Sequence, residues 1–211
     1  MIYKQIINQY PIISEQITTN KLSIILSNLE NILQQNIDGD IVEFGCYIGT
    51  TSLFIQRIIK NSTIINKKRF YVYDSFDGLP EKTNQDISPI GKDFKRGVLK
   101  INKKKLLLEF KKANLTPPII YKSWFSQIPE VALPSSIAFA FLDGDFYTSI
   151  LDSLKIVWPR LSFKGQVIID DYNRDALPGV SKAITSYFNP KFNFKLKSTN
   201  NLAIITKINN S

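Results

Sequence analysis

The sequence predicts an α/β fold, an open and mostly parallel sheet closed by an antiparallel hairpin, and three observations carry that prediction. Two unbroken apolar runs, Ile137-Ala138-Phe139-Ala140-Phe141-Leu142 and Val167-Ile168-Ile169, suit strands buried on both faces of a parallel sheet. Between them Ile150, Leu151, Leu154 and Val157 recur at helical spacing, and Pro159 is expected to stop that helix before Gly165 starts the next strand. The end of the chain changes period: Phe192, Phe194 and Leu196 alternate, the turn formers Ser198 to Asn201 follow, and Leu202-Ala203-Ile204-Ile205 completes a hairpin.

The totals fit one domain. A chain of 211 residues that is 44% hydrophobic and 12% aromatic can bury a full core. The lone Cys46 forms no internal disulfide, and neither a leader-like start nor an apolar run of membrane-spanning length is present, so a soluble cytoplasmic protein is expected. The net charge of +9 reads as an ordinary solvated lysine surface, with an anionic partner as the alternative. Histidine is absent, which removes the commonest general base.

Taken in order, residues 1–19 show no clean period, and residues 20–37 are helical, with Ile24, Ile25, Leu29, Ile32 and Leu33 on one face. The division expected is an N-terminal arm and helix over 1–38, serving as a lid or as the contact of a homo-oligomer (dimer or tetramer), and a main α/β domain over 39–211. The first strand, Ile41 to Phe44, leads through Gly45-Cys46-Tyr47-Ile48-Gly49-Thr50-Thr51-Ser52 into a helix. This turn lacks the three glycines of the dinucleotide fingerprint. Glu43 beside it suits a cationic amino-acid ligand better than a pyrophosphate, and S-adenosylmethionine (SAM) presents such an ammonium. The second strand, Arg69 to Tyr73, ends in Asp74, placed to accept from the hydroxyls of a cofactor ribose or to cap the following turn. Residues 81–100 are polar and long for an idle connection, hence a substrate loop or lid. Residues 101–114 form a basic amphipathic helix with Leu107, Leu108 and Phe110 set among lysines. The third strand, Ile119 to Lys122, ends at Ser123-Trp124-Phe125, an aromatic pair that either stacks on an adenine or belongs to the core.

Parallel strands bring Asp143, Asp145, Asp170 and Asp171 out together at the carboxyl edge, where ligands of open α/β sheets bind. A single aspartate after a strand is usually a cap, but two clusters on adjacent strands favour a hard divalent cation. Cys46 is expected to fill a tight turn rather than to act as a nucleophile.

In order along the chain stand Gly39-Asp40-Ile41-Val42-Glu43-Phe44-Gly45 with Gly49, Asp74-Ser75-Phe76-Asp77-Gly78-Leu79-Pro80, Leu142-Asp143-Gly144-Asp145-Phe146-Tyr147, Ile169-Asp170-Asp171-Tyr172 and Pro178-Gly179. This set resembles the macrocin O-methyltransferase family of class I SAM-dependent enzymes, which methylate sugar hydroxyls of glycosylated metabolites. The resemblance implies a Rossmann-like class I methyltransferase fold, seven strands with helices on both faces, and a magnesium ion (Mg2+) held by Asp143, Asp170 and Asp171. It implies cofactor contacts from Glu43, Gly45, Cys46, Tyr47, Gly49, Thr51, Ser52, Asp74, Ser75, Ser123, Trp124 and Asp143. With no histidine, Asp143 is the first choice for the base or a metal-bound relay and Asp145 the second. Thr50 and Ser123 depart from the family pattern, which more often has glycine. The acceptor expected is a small-molecule sugar or a nucleotide-linked sugar. A nucleic-acid methyltransferase is the first alternative, weakened because Asp143-Gly144-Asp145-Phe146 stands where Asn/Asp-Pro-Pro-Tyr/Phe belongs. A non-catalytic SAM-binding module is the second, weakened by the intact aspartate set.

Overall fold

The computed structural model describes residues 1–62, 68–91, 93–188 and 192–208. Its centre is a seven-stranded sheet. The strands are β1 (Asp40–Phe44), β2 (Phe70–Asp74), β3 (Ile119–Lys122), β4 (Ile137–Leu142), β5 (Leu161–Ile169), β6 (Phe194–Thr199) and β7 (Leu202–Lys207), in the order β3-β2-β1-β4-β5-β7-β6. The first five are parallel, and β7 pairs antiparallel with both β5 and β6. Asn200 and Asn201 make the hairpin turn with φ of 49° and 58°. Two successive left-handed residues match the twist of a two-residue hairpin, and asparagine tolerates them better than most side chains.

The helices are α1 (Ile2–Gln9), α2 (Thr19–Gln34), α3 (Thr50–Asn61), α4 (Lys103–Lys112), α5 (Tyr147–Arg160) and α6 (Pro178–Tyr187). Strand side chains alternate between two cores. Ile41, Phe70 and Val72 pack with residues of α1, α2, α3 and α4, while Val42, Phe44, Tyr71 and Tyr73 pack with residues of α5 and α6. The same alternation turns Glu43 toward α3. Among the described residues no helix is long and apolar enough to cross a membrane.

Several local expectations change. Residues 2–9 form a helix although their pattern shows no clean period, because the first amides of α1 are satisfied from elsewhere: the carboxylate of Glu30 accepts from Ile2 N at 2.9 Å and Tyr3 N at 3.0 Å. Leu22, Ile25, Leu26 and Leu29 of α2 are fully buried. In α4 the buried pair is Leu106 and Phe110, four residues apart on one face, and Leu107 and Leu108 are exposed. α5 continues past Pro159 to Arg160, ending so soon afterwards that little intrahelical bonding is lost, and Leu161 N–H closes on Trp158 O. β5 begins at Leu161, before Gly165, with a register shift where Lys164 takes φ of 64°.

Candidate active site

Register assembles the site. Phe44 lies beside Tyr73 and Leu142, and Leu142 beside Ile169, so the residues after four strands share one edge. Backbone hydrogen bonds extend the ladder one step further: Gly45 N to Tyr73 O at 2.9 Å, Asp143 N to Phe44 O at 2.8 Å and Asp170 N to Leu142 O at 2.9 Å. Gly45, Asp74, Asp143 and Asp170 therefore stand in a row.

Above that row is a cavity of about 560 Å3, lined by Gly45, Cys46, Tyr47, Asp74, Ser75 and Trp124 and also by Asp143, Asp145, Asp170 and Asp171. Leu79, Phe94, Val98 and Leu99 form an apolar wall. That wall belongs to the loop expected over 81–100 and its approach, held by Leu79 N to Val98 O at 2.8 Å and Gly97 N to Leu79 O at 2.9 Å. Gln16, Thr148, Ser149 and Arg174 also reach the cavity, and no local pattern marks them in the sequence.

The turn between β1 and α3 is specified by its glycines. Gly45 has φ of 85°, and a Cβ there would lie 2.0 Å from Asp143 O. Only glycine tolerates that approach, which leaves bare backbone at the cavity floor. Asp74 accepts from Phe76 N at 2.7 Å through Oδ1 and from Cys46 N at 2.8 Å through Oδ2, so it fastens two turns and also borders the cavity. Glu43 is fully buried and accepts from the Ser52 hydroxyl through Oε2, while its Oε1 has no hydrogen-bond partner among the described residues. Burial pushes its pKa up to about 8, with the Ser52 bond opposing and the Asp74 charge adding. Glu43, Gly49, Thr51, Ser52 and Ser123 do not line the cavity; they shape the turns behind it. Burial and the carboxylates of Asp74 and Glu43 push the Cys46 thiol well above its usual range, which keeps it protonated and inert.

At the acidic edge, single ligand oxygens of Asp143, Asp145 and Asp171 all lie within 4.8 Å of one another. Asp170 is engaged differently: its Oδ1 accepts from Asp171 N at 2.7 Å and from Lys21 Nζ at 2.5 Å. Burial and then the charges of Asp170, Asp145 and Asp171 hold the Asp143 carboxyl well above the usual range. Burial, Asp171 and Asp170 raise Asp145 to about 7, and burial and Asp171 raise Asp170 to about 6 against the pull of Lys21. Hard oxygen donors that repel one another are the donor chemistry of a hard divalent cation, so these residues fit one. The glycine turn and Asp74 fit a cofactor that presents an amino-acid end and ribose hydroxyls.

The chain matches the family model described as macrocin-O-methyltransferase over residues 9–203. It is 32% identical over 154 residues to the 8-demethyl-8-(2,3-dimethoxy-alpha-L-rhamnosyl)-tetracenomycin-C 4'-O-methyltransferase of Streptomyces olivaceus, covering 70% of this chain and 58% of that protein. It is 26% identical over 157 residues to the demethyldecarbamoylnovobiocin O-methyltransferase of Streptomyces niveus, covering 72% of this chain and 60% of that one. The chain thus spans about three fifths of the length of these two relatives. Among solved structures, the O-methyltransferase NovP superimposes with a TM-score of 0.78 at 22% identity, over 92% of this chain and 81% of NovP, and shares the fold.

Proposed function

The chain belongs to the macrocin-O-methyltransferase family, and from that membership and the cavity we propose that it transfers a methyl group from SAM to a sugar hydroxyl of a glycosylated metabolite or nucleotide-linked sugar, with Mg2+ at the aspartate cluster. One observation carries the reading: a single cavity is lined both by a side-chain-free glycine turn with Asp74 and by four further aspartates. A relative named for acting on a rhamnosyl group supports a sugar as acceptor.

Asp74 would hold the ribose and the 45–47 turn the amino-acid end of the cofactor. Asp143, Asp145, Asp170 and Asp171 supply the candidate cation ligands. When bound, SAM supplies the electrophilic methyl group and the cation supplies the charge that acidifies a hydroxyl. Asp145 is the proposed base: it borders the cavity, and without a cation burial and the charges of Asp171 and Asp170 raise its carboxyl to about 7, which makes it more basic than an ordinary carboxylate. The apolar wall of Leu79, Phe94, Val98 and Leu99 limits water at the reacting end and lets the sugar's position set the alignment for in-line transfer. A nucleic-acid acceptor is less well supported, because the α4 helix does not line the cavity and two of its lysines, Lys105 and Lys112, pair with Glu109.

Calorimetric titration with SAM and with its demethylated product, with and without Mg2+, tests the reading on the wild type and on Asp170→Asn. Micromolar cofactor binding with metal uptake weakened in the variant is expected, and no binding of either cofactor form overturns the proposal. Comparing turnover of a free sugar with that of its nucleotide-linked form then separates the two acceptor classes.

A further inference from the structure

One cation reaches the acidic edge from far away in the sequence. Lys21, in the first turn of α2, places Nζ 2.5 Å from Asp170 Oδ1 and 3.1 Å from Asp171 Oδ1, with 12% of its side chain exposed. Its backbone is fixed, since Lys21 N donates to Thr18 Oγ1 at 3.2 Å and the next residue, Leu22, is fully buried. The side chain, with its flexible four-carbon stem, is the part that can move. On the other flank Arg174 Nη1 lies 2.9 Å from Asp171 Oδ1, and its side chain is 44% exposed.

The four aspartates against Lys21 and Arg174 leave two formal negative charges when all are ionised, which one divalent cation balances. Lys21 and that cation want the same corner. An ammonium is a donor with no acceptor capacity, so it cannot assist a metal bound to the oxygens it holds, and at short range it repels the ion. Lys21 sits closest to Asp170, which lies outside the converging set of Asp143, Asp145 and Asp171, and it also holds Asp171 Oδ1, which belongs to that set.

We infer that Lys21 is a tethered counter-ion that holds the Asp170 corner in the metal-free protein and yields it when a divalent cation binds, so that Lys21 sets the affinity of metal uptake. The inference rests on the proposal that the aspartate edge takes a divalent ion. It assigns the N-terminal helix a part in the site through a side-chain swing, with no movement of the helix itself.

The test uses the full chain stripped of metal with a chelator and titrated with MgCl2 and MnCl2, read by calorimetry and, for manganese, by the spin-resonance signal of the free ion. Lys21→Met is expected to bind either ion on the order of tenfold more tightly than wild type, within the usual range of coupling between sites. Lys21→Arg, which keeps the charge, is expected to stay within about threefold of wild type. Should Lys21→Met be too unstable without metal for titration, the gain in melting temperature on adding MgCl2 replaces it, and a larger gain than in wild type is expected. Equal or weaker binding by Lys21→Met, or an equal or smaller thermal gain, overturns the inference and leaves the metal site standing. No binding by any of the three proteins overturns the metal site and the inference together.

Discussion

Replacing Asp86 by alanine tests how the 81–100 loop is built onto the carboxyl edge of the sheet. Asp86 is buried in a single 3-10 turn, Asn84–Asp86. Its Oδ2 accepts from Thr83 N at 2.9 Å and Thr83 Oγ1 at 2.7 Å, and its Oδ1 accepts from Tyr147 N at 2.7 Å. Tyr147 is the first residue of α5, and Phe146 at the capping position offers no side-chain bond, so the cap comes from a residue 61 positions earlier. Gly179 makes room for it, since a Cβ there would lie 1.9 Å from Asp86 Oδ1. Losing a cap costs about 1 kcal/mol, and each hydrogen bond to a buried charge contributes about 1.5–3 kcal/mol. The relief of no longer burying a carboxylate offsets part of this, so a net loss of about 3 kcal/mol is expected. For a chain of this size that corresponds to a fall of roughly 6–12 °C in melting temperature. Calorimetric melting of wild type, Asp86→Ala and Asp86→Asn checks it. The asparagine variant should lose less, because its oxygen can still serve Tyr147 N. A fall of less than about 2 °C in Asp86→Ala would refute the reasoning and show that the cap carries little weight.

Two further predictions concern titration. Asp143, Asp145, Asp170 and Glu43 all have pKa values raised in the fold, two of them to about 7 and about 8. A carboxyl raised above its unfolded value of about 4 keeps its proton longer in the native state, so stability is lost as pH climbs from about 4 toward 8. The chelated protein should therefore melt at a lower temperature at pH 8 than at pH 5.5, and Mg2+ should narrow the gap; a flat or rising profile without metal contradicts the description of the edge. In the proposed reaction Asp145→Asn should lower kcat by about 10²–10⁴ and remove the limb on which activity rises with pH. That limb should lie at or below about pH 7 in wild type, because a bound cation lowers the pKa of a neighbouring carboxyl. A variant that keeps the limb excludes Asp145 as the base.

The strands and the acidic edge were legible because their signals are local. The run from Ile137 to Leu142 is apolar at every position, and all six residues are fully buried. Asp143 and Asp170 follow their strands directly, so a parallel register places them side by side without further information. What escaped the sequence depends on distant partners. The α1 helix needs Glu30 to satisfy its first amides, the buried face of α4 is chosen by what lies opposite Leu106 and Phe110, and the start of α5 is capped by Asp86. Asp74 shows the two kinds of signal meeting: its place at a strand end was plain, but its bond to Cys46 N across the neighbouring turn was not.

The same distinction bears on the N-terminal segment. Residues 1–38 carry no chemistry recognisable in sequence, and a lid or an oligomer contact was a natural expectation for them. The fold buries the middle of α2 against the sheet and leaves its first turn facing the carboxylates, 149 positions before Asp170 in the chain. An edge with four aspartates needs positive charge whether or not a metal is present, because burial weakens the screening that water gives them. A lysine tethered to a well-packed helix meets that need in the metal-free protein at small entropic cost, since only its side chain is ordered. Substitutions that loosen α2, such as Leu22→Ala, should therefore act on the acidic edge as well as on the core. Leu22 lies outside the cavity wall, so a change in metal affinity there beyond the general loss of stability would mark α2 as part of the site, and an unchanged affinity would confine its part to packing.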